Sequence, residues 1–233
     1  MKKSLICTVL ISTILWGSLI ACAPAAAQTS EPAPEADNNQ AVTSAEPVVF
    51  VDVSPDDWFY RHVMNGLRFG LIEGTDGGRF EPDRYVTRAE FITMLGRLHE
   101  YGNETIGTPG VGEFYTRYLD WAVEMSIIHG EEYGDLMLNV YIAREQMTVL
   151  VFRYIDAFEL WIYALYVNGP TISASFQDYH LISCWAKTAA ETLGEWNLSV
   201  SRPGFPGYFR PQDYATHAEV VGQLAITALR LYE

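Results

Sequence analysis

The chain has 233 residues, 49% hydrophobic and 13% aromatic, with 29 acidic side chains against 15 basic ones and a net charge of −14. That much apolar material supports a buried core, and the length suits one or two domains or several small repeated units. The acidic balance excludes sequence-blind nucleic-acid binding, which needs clustered Lys and Arg to release counterions; three scattered cysteines exclude a disulfide framework or a cysteine zinc site.

In chain order, Lys2 and Lys3 precede an uncharged apolar run from Leu5 to Ile20, the layout of a secretory signal. Leu19-Ile20-Ala21-Cys22 resembles the lipobox of bacterial lipoproteins, which implies cleavage after residue 21 and a lipid on Cys22. The alternative is an ordinary signal cut near Ala25-Ala26-Ala27. Cleavage at the lipobox leaves 13 basic and 29 acidic side chains, a net charge of −16, with Lys187 the single lysine. Residues 22–48 are dominated by Ala, Pro, Glu, Ser, Thr, Asn and Gln with no aromatic residue, a composition that cannot offset ordering entropy and reads as a disordered linker. Cys184, beside Trp185, is expected to be a buried thiol.

The rest of the chain repeats itself. Counting from Trp58, Gly70, Gly74, Phe80 and Arg88 follow at 12, 16, 22 and 30 residues; Phe114, Ser126, Gly130, Leu136 and Arg144 keep the same offsets. Trp185 and Asn197 are again 12 apart, and a loop two residues longer leads to Phe209 and His217. The units are 49–102, 112–166 and 174–233.

Each unit reads as helix, loop, helix. In the first, Ser54-Pro55-Asp56-Asp57 offers an N-cap serine, a proline at the first helical position and early acids. Phe59, Val63, Leu67 and Leu71 recur four apart on one face, and Gly70 can take the left-handed conformation that ends the helix. Phe80 is expected to plug the core from the loop. Thr87 and Glu90 form a capping box, and the second helix buries Phe91, Ile92, Met94, Leu95 and Leu98.

With these segments laid out, the chain resembles three tandem S-layer homology repeats. The resemblance rests on Phe50-Val51-Asp52-Val53, Trp58-Phe59, Gly70 to Gly74, Phe80-Glu81-Pro82 and Val86-Thr87-Arg88-Ala89-Glu90. It rests also on Phe176-Gln177-Asp178, Cys184-Trp185-Ala186, Phe209-Arg210-Pro211 and Thr216-His217-Ala218-Glu219. The resemblance implies an all-α fold in which three helix-loop-helix repeats pack as a pseudo-threefold, three-lobed bundle. It implies non-covalent binding of a bacterial cell-wall glycan, either a secondary cell-wall polymer, often pyruvylated, or peptidoglycan, in grooves between repeats. The signature arginine is implied to hold the acidic sugar.

The candidate ligand-binding residues are Asp52, Trp58, Gly74, Arg88, Glu90, Arg144, Trp185 and His217. Arg88 and Arg144 open helices, where a guanidinium beside unpaired amides could receive a carboxylate, whereas Trp58, Phe80, Thr87 and Glu90 are equally explained by packing and capping. Unit two has Ala143 in place of the N-cap hydroxyl, and unit three has His217 in place of the arginine. His217 becomes a cationic clamp only below about pH 6.5.

No His-Glu-x-x-His, Gly-x-Ser-x-Gly or phosphate-binding glycine motif occurs, so neither an enzyme, a cofactor nor a metal site is expected. The competing reading is a protein-interaction or S-layer structural module with degenerate grooves. In it the aromatic run from Tyr154 to Val167 forms a contact or self-association surface, where otherwise it is buried in the bundle.

Overall fold

The computed structural model describes residues 50–73, 77–129, 136–160, 176–199 and 204–232. The expected signal, linker, lipidated Cys22 and Gly74 lie outside the described residues, as does the aromatic run beyond residue 160. Glu46–Glu233 cluster as one compact unit. Among the described residues there are six α-helices: α1 Tyr60–Arg68, α2 Arg88–Gly102, α3 Thr116–Glu124, α4 Arg144–Ala157, α5 Lys187–Glu195 and α6 His217–Tyr232. One 3-10 turn, Tyr179–Leu181, accompanies them, and strand pairing among these residues is confined to isolated antiparallel bridges. The all-α expectation holds.

The first helix of the first unit starts later than the sequence suggests. Ser54 is not the N-cap of α1; that place falls to Phe59, without a side-chain cap. Ser54 instead closes a preceding turn, its amide donating to Asp57 Oδ2 at 2.7 Å and its hydroxyl accepting from the Asp56 amide at 3.4 Å. Short-range polar side chains here outcompete helix extension.

Helix ends follow the repeat closely. After α1, Gly70 at φ +66° donates to Leu67 O and Leu71 to Gly66 O, a Schellman closure. Ser126 at φ +58° and Asn197 at φ +53° repeat it after α3 and α5, with Ile127 donating to Ala122 O and Leu198 to Leu193 O. Only Gly70 meets the left-handed requirement without a Cβ penalty. Leu71, Ile127 and Leu198, which follow these residues, are all buried in the core.

The helix starts join different units. Val86 N donates to Ala215 O, Ala215 N to Ile142 O and Ile142 N to Val86 O, at 3.2, 2.9 and 2.9 Å, so three backbone hydrogen bonds close a ring. Helix packing follows the same cyclic order. The principal contacts are α1 on α6, α3 on α2 and α5 on α4. The first helix of each of these sequence units therefore lies on the second helix of another. At these crossings a Cβ on Gly66 would come within 2.7 Å of Val221, and one on Gly96 would overlap the Tyr118 ring.

Phe80 is buried, as expected of a plug, and packs at 5.7 Å from Phe50 and 5.9 Å from Phe59. Phe91, Ile92, Met94, Leu95 and Leu98 of α2 are all core residues. Cys184 is exposed rather than buried. It sits in the surface turn closed by Ala186 N and Ser183 O, with Trp185 beside it 52% exposed.

Candidate functional site

Two arginines were expected to present their guanidiniums at open helix starts. Both are buried: Arg88 and Arg144 are each 3% exposed. The amides beside them are taken. Arg88 N donates to Val140 O and Ala89 N to Leu138 O; Arg144 N donates to Asp213 O and Glu145 N to Pro211 O; His217 N donates to Arg84 O and Ala218 N to Pro82 O. The expected anion receptor of unpaired N–H groups is thus corrected, because the loop of another unit supplies carbonyls that buried amides require.

Arg144 is held on all sides. Its Nε donates to Phe209 O at 2.8 Å, its Nη1 lies 3.1 Å from Glu219 Oε1, and its guanidinium carbon is 5.9 Å from the Phe209 ring centroid. Glu219 is fully buried, accepts from the Thr216 amide at 3.0 Å, and has Arg210 at 3.4 Å. Burial lowers the Arg144 pKa, with the Glu219 charge working in the opposite sense. This is an interior ion pair that ties α4 to α6.

Glu90 completes the predicted capping box. Its Oε2 accepts from Thr87 N at 2.8 Å, and its amide donates to Thr87 Oγ1 at 3.3 Å. In unit two, Gln146 reaches back to Ala143 N at 3.0 Å without the reciprocal hydroxyl.

Asp52 binds its own loop. Oδ1 accepts from Phe80 N at 2.7 Å and Oδ2 from Glu81 N at 2.8 Å. Glu81 stands at φ +56°, and a left-handed residue aims two consecutive amides into one concavity, where an anion fits. Burial pushes the Asp52 carboxyl up, but these two amides, its own backbone and Arg79 outweigh that and leave its pKa below the ordinary value. Asp178 repeats the arrangement on Phe209 N and Arg210 N at 2.8 and 2.6 Å, with Arg210 at φ +59°.

The remaining candidates divide. Trp58 is half-buried against Phe59 and His62, whereas Trp185 is exposed. His217 stacks on the Phe80 ring at 4.4 Å, and its Nδ1 lies 2.6 Å from Phe80 O, the distance of an N–H donating to that carbonyl. Burial lowers its pKa, against the opposing effect of the Phe80 hydrogen bond.

His217 reaches a groove of about 240 Å³ between the first loop, α2 and the start of unit two. Arg79, Arg84, Arg97, Glu90 and Phe114 also border it. Arg84 Nη1 pairs with Glu90 Oε1 at 2.8 Å, and its Nε lies 3.5 Å from Glu81 Oε2; Arg97 pairs with Glu73 at 3.2 Å. Phe114, at the repeat position of Trp58, is 60% exposed at the rim. The sequence reading missed Arg84 and Arg97. A signal was present, since Glu90, Thr93, Met94 and Arg97 have the 0, 3, 4, 7 spacing of one helix face. A larger cavity of about 470 Å³ lies beside α3, but Glu104, Asp120 and Glu124 border it and its Arg117 is held by Glu100 at 2.5 Å. That charge balance disfavours an acidic ligand.

Among the described residues no group of His, Cys, Asp and Glu could hold a metal ion, and no helix is long and apolar enough to cross a membrane.

Comparison with known proteins places this geometry in context. The chain is 29% identical over 182 residues to the S-layer protein sap of Bacillus anthracis, covering 76% of this chain and 21% of that protein. It is 29% identical over 176 residues to the exoglucanase XynX of Acetivibrio thermocellus, covering 74% and 15%. Against the amylopullulanase of Thermoanaerobacterium thermosulfurigenes it is 29% identical over 153 residues, covering 64% and 8%. The chain spans about a fifth or less of the length of these curated relatives. Residues 49–92, which contain Asp52, Trp58, Phe80, Arg88 and Glu90, match the model of the S-layer homology domain.

Proposed function

We propose that the chain is a non-covalent cell-wall anchoring module, not an enzyme, whose units 49–102, 112–166 and 174–233 are three S-layer homology repeats in a pseudo-threefold bundle. The cyclic hydrogen bonds of Val86, Ala215 and Ile142 support that arrangement. The ligand is an acidic wall glycan, a secondary cell-wall polymer with pyruvylated sugars or peptidoglycan. Lipid on Cys22 would hold the module to a membrane.

The observation that carries the binding reading is the convergence of Arg84, Arg97 and His217 on one groove with an exposed Phe114 at its rim. Arg84 and Arg97 are 40% and 31% exposed in their side chains, so a ligand carboxylate can exchange with Glu90 or Glu73 without burying a bare charge. A guanidinium receives it bidentately, and the Phe114 face offers an apolar wall to a sugar ring. At −14 overall, attraction must come from such placed cations and not from the mean field.

Co-sedimentation with purified cell-wall sacculi tests this. Arg84→Ala with Arg97→Ala should lower affinity by roughly 10-fold or more per residue, since a charge-assisted hydrogen bond contributes about 1.5–3 kcal/mol. Unchanged sedimentation of the folded variant would refute the groove assignment. Walls stripped of secondary polymer would separate the two glycans. The burial of Arg88 and Arg144 favours a second reading, in which these signature positions serve packing and the exposed surface meets protein. Loss of self-association, with sedimentation intact, in a Trp185→Ala variant would support it.

A further inference from the structure

Immediately before each member of the central hydrogen-bond ring stands a tyrosine: Tyr85, Tyr141 and Tyr214. The three come from three different units, yet their rings meet, with centroids 5.5, 5.7 and 5.6 Å apart for the pairs 85–141, 85–214 and 141–214. Each is nearly half exposed, at 45, 46 and 46%. Beneath them Val86, Ile142 and Ala215 are fully buried and hydrogen-bonded to one another, so the backbone holds the phenols together while their outer edges face solvent. Capping and wall binding leave this cluster unused.

We propose that Tyr85, Tyr141 and Tyr214 form an oxidative cross-linking site, at which a one-electron oxidant of the peroxidase and hydrogen peroxide class joins two of the rings as dityrosine. Each of the two phenols gives up one electron and its hydroxyl proton, and the two phenoxyl radicals couple through a ring carbon ortho to each oxygen. The hydrogen on each coupled carbon then moves to the oxygen and restores both phenols. Two tyrosines and one hydrogen peroxide thus give one dityrosine and two waters. The bond would join two of the loops that cap one another's helices.

Placement makes this pairing intramolecular. A radical on one ring already has two partners in contact, whereas coupling between molecules awaits an encounter. Among the described residues Tyr101 and Tyr232 offer a comparison, with centroids 5.6 Å apart. Tyr232 is less exposed and its hydroxyl donates to Leu98 O at 3.4 Å, which ties the phenol inward. The triad should therefore react first.

The experiment treats the full chain at low micromolar concentration with peroxidase and limiting hydrogen peroxide. The expected product is a monomer two hydrogens lighter, with dityrosine fluorescence and a cross-linked peptide pair containing two of Tyr85, Tyr141 and Tyr214. Tyr141→Phe leaves a single pair and should lower the yield without abolishing it. Combining Tyr85→Phe, Tyr141→Phe and Tyr214→Phe should abolish the product while circular dichroism stays unchanged, since phenylalanine retains the ring contacts. Persistent cross-linking in the triple variant, a bond mapped to Tyr101 and Tyr232, or products that are only covalent dimers would each overturn the assignment.

Discussion

Replacing Arg144 with alanine tests whether this signature arginine is an interior structural group. The substitution removes the 2.8 Å hydrogen bond to Phe209 O and the 3.1 Å contact to Glu219, and leaves a fully buried carboxylate with Arg210 at 3.4 Å as its cationic neighbour. Breaking a buried pair from one side costs about 3–5 kcal/mol, chiefly from the stranded charge. For a folded unit of this size that corresponds to a fall in melting temperature of roughly 6–20 °C. Arg144→Lys should recover little, because an ammonium cannot reach both Phe209 O and Glu219 with the guanidinium's fork. Combining Arg144→Met with Glu219→Gln should recover part of the loss, since neither charge then stays buried. Urea unfolding followed by tryptophan fluorescence measures all three variants. A loss below about 1 kcal/mol for Arg144→Ala, at unchanged denaturant slope, would refute the interior-pair reasoning and return Arg144 to the ligand candidates.

Other expectations follow from the same contacts. Asp52→Ala should destabilise the first loop by about 2 kcal/mol through loss of two charge-assisted hydrogen bonds. Because the folded pKa of Asp52 is depressed, its contribution is present above the unfolded value of about 3.9 and fades as pH falls below it; Asp52→Asn should flatten that acid limb in thermal melts. Gly96→Ala, which drives a Cβ into the Tyr118 ring, should cost about 1–3 kcal/mol by overpacking the α2–α3 crossing, measurable by the same urea titration. His217 has a folded pKa below its ordinary value, so its contribution is complete above about pH 6.5 and declines as pH falls toward the folded pKa. A difference curve between parent and His217→Gln melts should show that decline, separated from His62 and His99, whose pKa values are also lowered by burial.

Local structure was legible wherever neighbours in sequence decide it. The capping box of Thr87 and Glu90, the helix-ending Gly70 and the apolar spacing of α2 depend on residues within a turn or two of one another, and all stand as the sequence implied. The repeat offsets even identify Ser126 and Asn197 as counterparts of Gly70, although neither residue announces a left-handed conformation. Ser54 misled because a short polar turn and a helix cap use the same residue types.

The site was legible only in part, since it is built by residues from different units. Arg88 opens a helix, and sequence spacing places it at a positive helix end. Only the tertiary structure shows that carbonyls of residues 138 and 140 already occupy the neighbouring amides and that the side chain is enclosed. Arg84, Arg97, Phe114 and His217 lie as far apart as 133 positions in the chain, yet they border one groove because each first helix packs on the second helix of another unit. The amino-acid sequence alone determined the helical character, the capping box of Thr87 and Glu90 and the apolar spacing of α2, which are governed by short-range hydrogen bonding and apolar periodicity. Which arginines are enclosed and which face a groove was decided by the cyclic packing of those units, because burial depends on neighbours that no local pattern names.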